Sequence, residues 1–393
     1  MADNTKIQRI PLFKISVNQK FDRDLYYDDF LIHPRDTPIT EEDMEIFRTW
    51  KIETPELRDS TITGPEGISA LAGSALSDSL DIMQRDIADM REAEALHQQI
   101  SNFVSTCYQT IRRQQRFTVG EPLNSLRQMI ESIRRMDFSI LRFQEFQTKG
   151  SYIEIHSVNS FILTVALANA AKMPQHRLMN LALSALLHEV GLIKFTNMID
   201  RNKRLTPQEF QLQKSHVHEG LNMLKQYNFP SEVAEGILQH HERLDGSGYP
   251  YGVANNEILD FGRYIGLVCS YVAMTTDQQF RESRMAHSAL LTLMKGANIH
   301  YDAELVKLLV RLLSLYPVGS YVSLNNGAIG RVLRNNERDP RLPLIQVVLD
   351  SNRKLIKEST VIQTNDKIRV AQPLSYKGIA PIIAKLQSQQ SQK

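Results

Sequence analysis

The sequence predicts a mainly α protein, with a helical bundle at its centre and small strand-rich modules at its N- and C-terminal ends. Three observations lead there. From about Ser151 to Leu315 apolar residues recur three and four positions apart, the repeat of helices that bury one face. Before and after that stretch, short apolar runs alternate with turn residues, as strands do. The 393 residues are 42% hydrophobic and 23% charged, which provides for a sizeable core and argues against extensive disorder.

Residues 1–58 read as a small α+β, strand-rich module. Its apolar segments Ile10 to Ile15 and Leu25 to Ile32 suit strands. Thr40-Glu41-Glu42-Asp43 opens a helix, because a threonine can cap and acids favour the positive N-terminal end. Residues 59–148 are expected to be a linker, over about 59–75, followed by a helical hairpin. One helix carries Leu80, Met83, Ile87, Met90, Val104 and Ile111, with Glu94, His97 and Ser101 interrupting the seam. A second follows a break at Gly120-Glu121-Pro122 and carries Ile130, Ile133, Ile140 and Leu141. The 76–148 helices have two readings: a surface for a homodimer or signalling partner, or packing within the chain, which suits an interrupted seam better.

In the helical stretch 149–315, Thr206-Pro207-Gln208-Glu209 starts a helix expected to run on through His216. Ser231 after Pro230 starts the helix that delivers His240 and His241, and another runs from about Asp260 to Thr275 with Cys269 inside it. Residues 316–375 read as a small β module. It has a hairpin turning at Asn325-Asn326-Gly327, a strand from Leu344 to Leu349 and a last strand within Val361 to Val370. The Gln- and Ser-rich tail 376–393 is expected to fray.

Forty-six basic against 44 acidic residues leave a net charge of +2, scattered rather than gathered. A nucleic acid polymer is therefore not the expected partner, and the charge is compatible with a nucleotide-sized phosphate ligand. The start MADNTKIQRI is unlike a secretory signal, and the longest apolar stretches, Phe161 to Ala171 and Leu178 to Leu187, fall short of the ~18 residues a spanning helix needs. With two cysteines, Cys107 and Cys269, a disulfide framework is not expected, and the reading is a cytoplasmic protein without membrane insertion.

The chemistry lies in polar residues that interrupt apolar helices: His156, His188-Glu189, His216 and His240-His241. Glu189 sits inside ALSALLHEVGL, where a buried carboxylate costs several kcal/mol unless something compensates it. A metal ion would. Imidazoles plus a carboxylate, with no paired thiolates, favour iron, manganese or zinc over calcium, and the donor count suffices for two divalent ions. After the histidine pair, Gly246 and Gly248 permit a sharp turn and Pro250 stiffens its exit, so that Tyr249 is presented on a rigid loop.

His156, His188-Glu189, His216, the run HHERLDGSGYP from His240 to Pro250, and Arg281 together resemble the HD-GYP domain, a helical metal-dependent phosphohydrolase branch of the HD superfamily. The resemblance covers about residues 150–315. It implies an all-helical HD-type bundle that hydrolyses cyclic di-GMP, a metal-bound hydroxide near His188 and Glu189 attacking the phosphodiester. It also implies two or three iron or manganese ions held by these residues. Tyr249 is then placed to stack on a guanine, beside Asp245, Gly246, Gly248 and Pro250 in the substrate loop, while Arg243 and Arg281 have two readings, a guanine or phosphate contact or a surface ion pair.

The chain departs from the family pattern at several places, among them Tyr152, where an acidic residue often precedes the first histidine, and Val272, where a second aspartate stands in the later segment. Glu189 stands for the aspartate of the naming dyad, Leu192 for the lysine that follows, and Cys269 for a later aspartate ligand. Cys269 has two readings, a thiolate ligand or a small apolar core residue. Lys194 is close in sequence to the missing lysine but points elsewhere. The departures leave two functions: a cyclic di-GMP phosphodiesterase, or a catalytically degenerate receptor that holds the dinucleotide or a protein partner without cutting.

Overall fold

The structure is a computed structural model that describes residues 8–27, 30–33, 38–49, 52–58, 71–115, 120–136, 138–143, 146, 150–199, 203–277, 283–336, 339, 341–365, 367–374 and 379. At the N-terminal end, β1 (Gln8–Arg9), β2 (Asp24–Tyr27), β3 (Phe30–His33) and β4 (Glu56–Arg58) form an antiparallel sheet in the order β1-β4-β2-β3. Helix α1 (Glu41–Thr49) crosses between β3 and β4. Its start is a reciprocal cap: Asp43 donates its backbone N–H to Thr40 Oγ1 and accepts from the Thr40 N–H at 2.8 Å. The run from Ile10 to Ile15 is not a strand; Leu12–Lys14 is a 3-10 turn entered from Pro11, whose missing N–H could not serve a ladder.

Helix α2 (Leu71–Arg112) begins inside the expected linker, of which residues 59–70 lie outside the described ones. From Ala93 to Ile111 its apolar stripe, Ala93, Leu96, Ile100, Val104, Cys107 and Ile111, is buried within the chain's main core. The interrupting His97 is satisfied across the interface, its Nε2 lying 2.9 Å from Asn159 Oδ1. Helix α3 (Gly120–Arg135) starts at the expected break, because Pro122 in a first turn loses only an N–H that has no helical partner. Ile140 and Leu141 belong to a 3-10 turn, Phe138–Leu141, beyond its end.

The bundle continues with α4 (Tyr152–Ala170), α5 (Gln175–Leu187), α6 (Thr196–Ile199), α7 (Pro207–Gln213), α8 (His216–Leu224), α9 (Ser231–Gln239), α10 (Asp260–Thr275), α11 (Ala286–Lys295) and α12 (Ala303–Leu313). Helix α4 is the central element, apolar nearly all round and buried from Val158 through Val165. By length and composition α4 and the run Gln175–Ile199 would both pass for membrane spans, longer than the uninterrupted apolar stretches in the sequence. Each is mostly buried inside this bundle. His216 does not lie on the helix started by Thr206. That helix ends at Gln213, since the Ser215 hydroxyl donates to Leu212 O at 2.7 Å and competes with the ladder, and His216 opens α8 instead.

One core runs from Ile15 through Leu313, joining the first sheet, α2, α3 and the bundle. The C-terminal sheet, β5 (Tyr321–Leu324), β6 (Ile329–Arg334), β7 (Leu344–Leu349), β8 (Leu355–Gln363) and β9 (Val370–Leu374), is antiparallel in the order β8-β7-β6-β5-β9. The last strand, expected within Val361 to Val370, begins only at Val370: the segment holds the end of β8, a turn in which Asn365 Oδ1 accepts from the Lys367 and Ile368 N–H groups, and the first residue of β9. Pro373 is tolerated because β9 is an edge strand. Of the expected tail 376–393 only Ile379 is described, and it is buried with Tyr321, Ile329 and Leu349; residues 375–378 and 380–393 lie outside the described residues.

Candidate metal centre

Five helices deliver the donor atoms to one point. His156 comes from the first turns of α4, His188 caps the C-terminus of α5 with Glu189 beside it, and His216 is the first residue of α8. His240 caps α9, His241 follows, and Cys269 lies inside α10. Their donor atoms form two groups. His156, His188, Glu189 and Cys269 have donor atoms all within 4.8 Å of one another, and so do Glu189, His216, His240 and His241. Glu189 belongs to both. Its Oε1 lies 3.7 Å from His156 Nε2 and 3.8 Å from His188 Nε2, and its Oε2 lies 3.3 Å from His216 Nε2. The histidine pair does not divide between the groups. His240 and His241 face the same one, with ring centroids 4.0 Å apart, because the chain leaves the helix between them.

Hydrogen bonding fixes the tautomers. His188 Nδ1 donates to Ala185 O at 2.7 Å, His216 Nδ1 to Gln213 O at 2.8 Å, and His240 Nδ1 to Ile237 O at 2.7 Å. A carbonyl only accepts, so in each neutral ring Nε2 carries the lone pair and points at the cluster. His216 Nε2 and His240 Nε2 thus meet lone pair to lone pair at 3.5 Å. His156 Nδ1 and Nε2, His188 Nε2 and Glu189 Oε2 are buried with no hydrogen-bond partner. Buried polar atoms are nearly always satisfied, and a cation is what this set of converging acceptors would satisfy.

Electrostatics agree. Burial pushes His156 and His216 down to about 4, and burial together with neighbouring imidazoles holds His188, His240 and His241 well below the usual histidine value. These rings are neutral at neutral pH, the form that binds metal. Burial pushes the Glu189 carboxyl up to about 8 and raises the Cys269 thiol. Both keep their protons unless a positive charge enters.

The loop after His241 is tied down from beneath. Glu242, 3% exposed, accepts from the Tyr251 N–H at 2.8 Å through Oε1. A β-carbon on Gly248 would fall 2.4 Å from Glu242 Cα and 2.5 Å from both Arg243 N and His241 O, so only glycine fits there. Gly246 turns the chain at φ +76°, and Asp245 Oδ1 accepts from the Ser247 N–H and hydroxyl while its Oδ2 faces His300 Nδ1 at 3.3 Å. The Tyr249–Pro250 peptide is cis, and the Tyr249 ring stacks on His241 at 4.5 Å.

The arginines and lysines fall differently from expectation. Arg243 turns inward, its guanidinium donating to the His240 and Glu242 carbonyls and to Ser270 Oγ, beneath the Tyr301 ring. Arg281 lies outside the described residues. Leu192 is 3% exposed, part of the core, and Lys194 pairs with Glu219 on α8. The cation beside Tyr249 is Lys214, which sequence reading missed. Its Nζ sits 5.2 Å from the ring centroids of both Phe210 and Tyr249. The signal available was its place two residues before His216. Glu242 was missed too, although it stands directly after the histidine pair.

The HD domain family matches residues 152–305. The chain is 28% identical to a cyclic di-GMP phosphodiesterase of Pseudomonas aeruginosa over 270 residues, 68% of this chain and 65% of that one. It is 30% identical to a cyclic di-GMP phosphodiesterase of Borreliella burgdorferi over 236 residues, 60% of each chain. A 3'3'-cGAMP-specific phosphodiesterase of Vibrio cholerae is 26% identical over 170 residues, 43% of this chain and 37% of that one. The chain therefore spans somewhat under two thirds of the length of the first two curated relatives.

Proposed function

We propose that this chain is an HD-domain protein of the HD-GYP kind and a metal-dependent phosphodiesterase acting on cyclic di-GMP, a bacterial second messenger, in the cytoplasm. The observation that carries this reading is Glu189 shared between two groups of unprotonated imidazoles, all of them buried except the half-buried His241. We assign His156, His188, Glu189 and Cys269 to one divalent ion and Glu189, His216, His240 and His241 to a second, with iron or manganese the expected metals and zinc the alternative.

When bound, such a pair polarises a phosphoryl oxygen and acidifies water. The chain's own residues do the rest. Carbonyl-anchored Nδ1 groups keep the Nε2 atoms of His188, His216 and His240 aimed inward without reorganisation. Tyr249, braced on His241, offers a base a ring face, and such contacts are worth about 1–3 kcal/mol per base. Lys214 beside it supplies positive charge for a phosphate, the task for which Leu192 has no side chain. Arg243 holds the loop rather than the ligand. Hydrolysis adds one water across a P–O bond and opens the ring to the linear dinucleotide.

Anaerobic loading of the purified full chain with iron and, separately, manganese tests this by chromatography of the products. Turnover of cyclic di-GMP is expected. Absence of turnover with both metals rejects the enzyme. The receptor reading, favoured by the buried Leu192, then requires saturable calorimetric binding of the uncut dinucleotide.

A further inference from the structure

The two donor groups that share Glu189 are not chemically alike. One offers nitrogen and oxygen only, from His216, His240, His241 and Glu189. The other includes the sulfur of Cys269 with His156, His188 and Glu189. Cys269 is 5% exposed and sits on α10, which is tied to the loop after the histidine pair by the Arg243 to Ser270 Oγ bond at 3.2 Å. Its sulfur is therefore placed by packed helices rather than by a loose loop.

A second observation comes from its neighbours. His156 has neither ring nitrogen hydrogen-bonded, and His188 Nε2 has no partner either, although both rings are fully buried. A cysteine acting only as a small apolar filler belongs among apolar groups. This one lies within 4.8 Å of donor atoms from two imidazoles and a carboxylate. Cys107, the other cysteine, is buried on α2 and belongs to neither group.

We propose, resting on the metal-dependent reading of this site, that Cys269 binds a divalent cation as a thiolate together with His156, His188 and Glu189, so that the centre is built from two unequal half-sites. The sulfur-ligated half-site selects a thiophilic ion such as iron(II), zinc or cobalt(II) over manganese or magnesium, whereas the all-nitrogen-and-oxygen half-site accepts manganese as well. On binding, the Cys269 S–H bond breaks, a sulfur–metal bond forms and the proton leaves to solvent, with no change of oxidation state. The substitution of a carboxylate by sulfur thereby changes which metal the site retains.

Titration of the metal-free full chain with cobalt(II) tests this directly. The expected result is a near-ultraviolet sulfur-to-cobalt charge-transfer band that saturates at one equivalent and survives a large excess of manganese. Cys269→Ser and Cys269→Asp should lower it at least tenfold, while Cys107→Ser keeps it. Cys269→Asp should still take up two cobalt ions, which separates loss of sulfur from loss of fold. Cobalt uptake without the band, a band that survives Cys269→Ser, or a band displaced by manganese overturns the proposal. Failure of the phosphodiesterase reading looks different: the band is intact and cyclic di-GMP is not cut.

Discussion

Gly191 and the carbonyl oxygen of His216 stand so close that a β-carbon on Gly191 would fall 1.9 Å from that oxygen. The same β-carbon would lie 2.6 Å from Gly220 N, so the turn after Glu189 and the start of α8 touch backbone to backbone. This contact sets the spacing between the carboxylate and His216. Gly191→Ala is therefore expected to force the two apart, destabilising the chain by about 1–3 kcal/mol through overpacking and lowering metal content in the purified protein. Thermal melting with elemental analysis checks it; a variant of wild-type stability and metal content would show that the contact yields.

Glu189→Gln keeps the shape of the side chain and removes the charge shared by both groups. Bound metal should fall from two ions per chain to one or fewer, and kcat/KM by about 100-fold or more, roughly 2.7 kcal/mol of transition-state stabilisation. Glu189→Asp should retain more of both than Glu189→Gln. Equal loss in the two variants would mean that reach, not charge, is what position 189 supplies.

Lys214→Met should weaken cyclic di-GMP binding about 5- to 10-fold, roughly 1–1.4 kcal/mol, and flatten its dependence on salt. Lys214→Arg should restore most of it. Metal content, which does not involve Lys214, should be that of the wild type in both variants. Unchanged binding at low salt in Lys214→Met would remove this residue from the ligand contact.

Tyr249→Ala should cost about 1–3 kcal/mol of dinucleotide affinity through the lost stacking surface. Because the ring also covers His241, the variant should be compared with Tyr249→Phe, which keeps the stack and is expected to bind as the wild type does. Calorimetry distinguishes them, and equal weakening in both would point to the hydroxyl instead.

The pH response of metal binding follows from opposite shifts in the same cluster. His156 and His216 fall from 6.5 to about 4 on folding, so the stability they contribute is complete above about pH 6.5 and is lost as pH falls through 4. Glu189 rises from 4.5 to about 8, so its contribution is complete below 4.5 and is lost as pH rises through 8. A divalent ion needs the rings neutral and the carboxylate ionised. The gain in melting temperature on adding manganese should therefore grow from about pH 6 to about pH 8. A gain that is flat, or larger at the acid end, would contradict the assignment of Glu189 to the ions.

Local signals were read well where covalent spacing governs them. The capping boxes at Thr40 and Thr206, the helix Asp260–Thr275 and the strand Leu344–Leu349 need only neighbours a few residues away. The errors fell where one competing side-chain bond decides. The Ser215 hydroxyl ended α7 before His216, and the turn at Asn365 moved the last strand, expected within Val361 to Val370, to Val370–Leu374. His97 and Ser101, which interrupt the seam of α2, turned out to be hydrogen-bonded, His97 to Asn159 on α4 and Ser101 back to the His97 carbonyl.

By itself the sequence determined which residue types were available and on which elements: five histidines and a carboxylate set into apolar helices, then a glycine-rich turn carrying a tyrosine. Those follow from residue order and helical repeat. Only the tertiary structure decided that Glu189 is shared by two groups, that His240 and His241 serve the same one, that Cys269 completes the other, and that Lys214 rests over the Tyr249 ring while Arg243 is bonded into the loop. The reason is physical. These relationships join α4, α5, α8, α9 and α10, whose relative placement depends on long-range contacts such as that between Gly191 and His216, and helical periodicity carries no information about which face of one helix meets another.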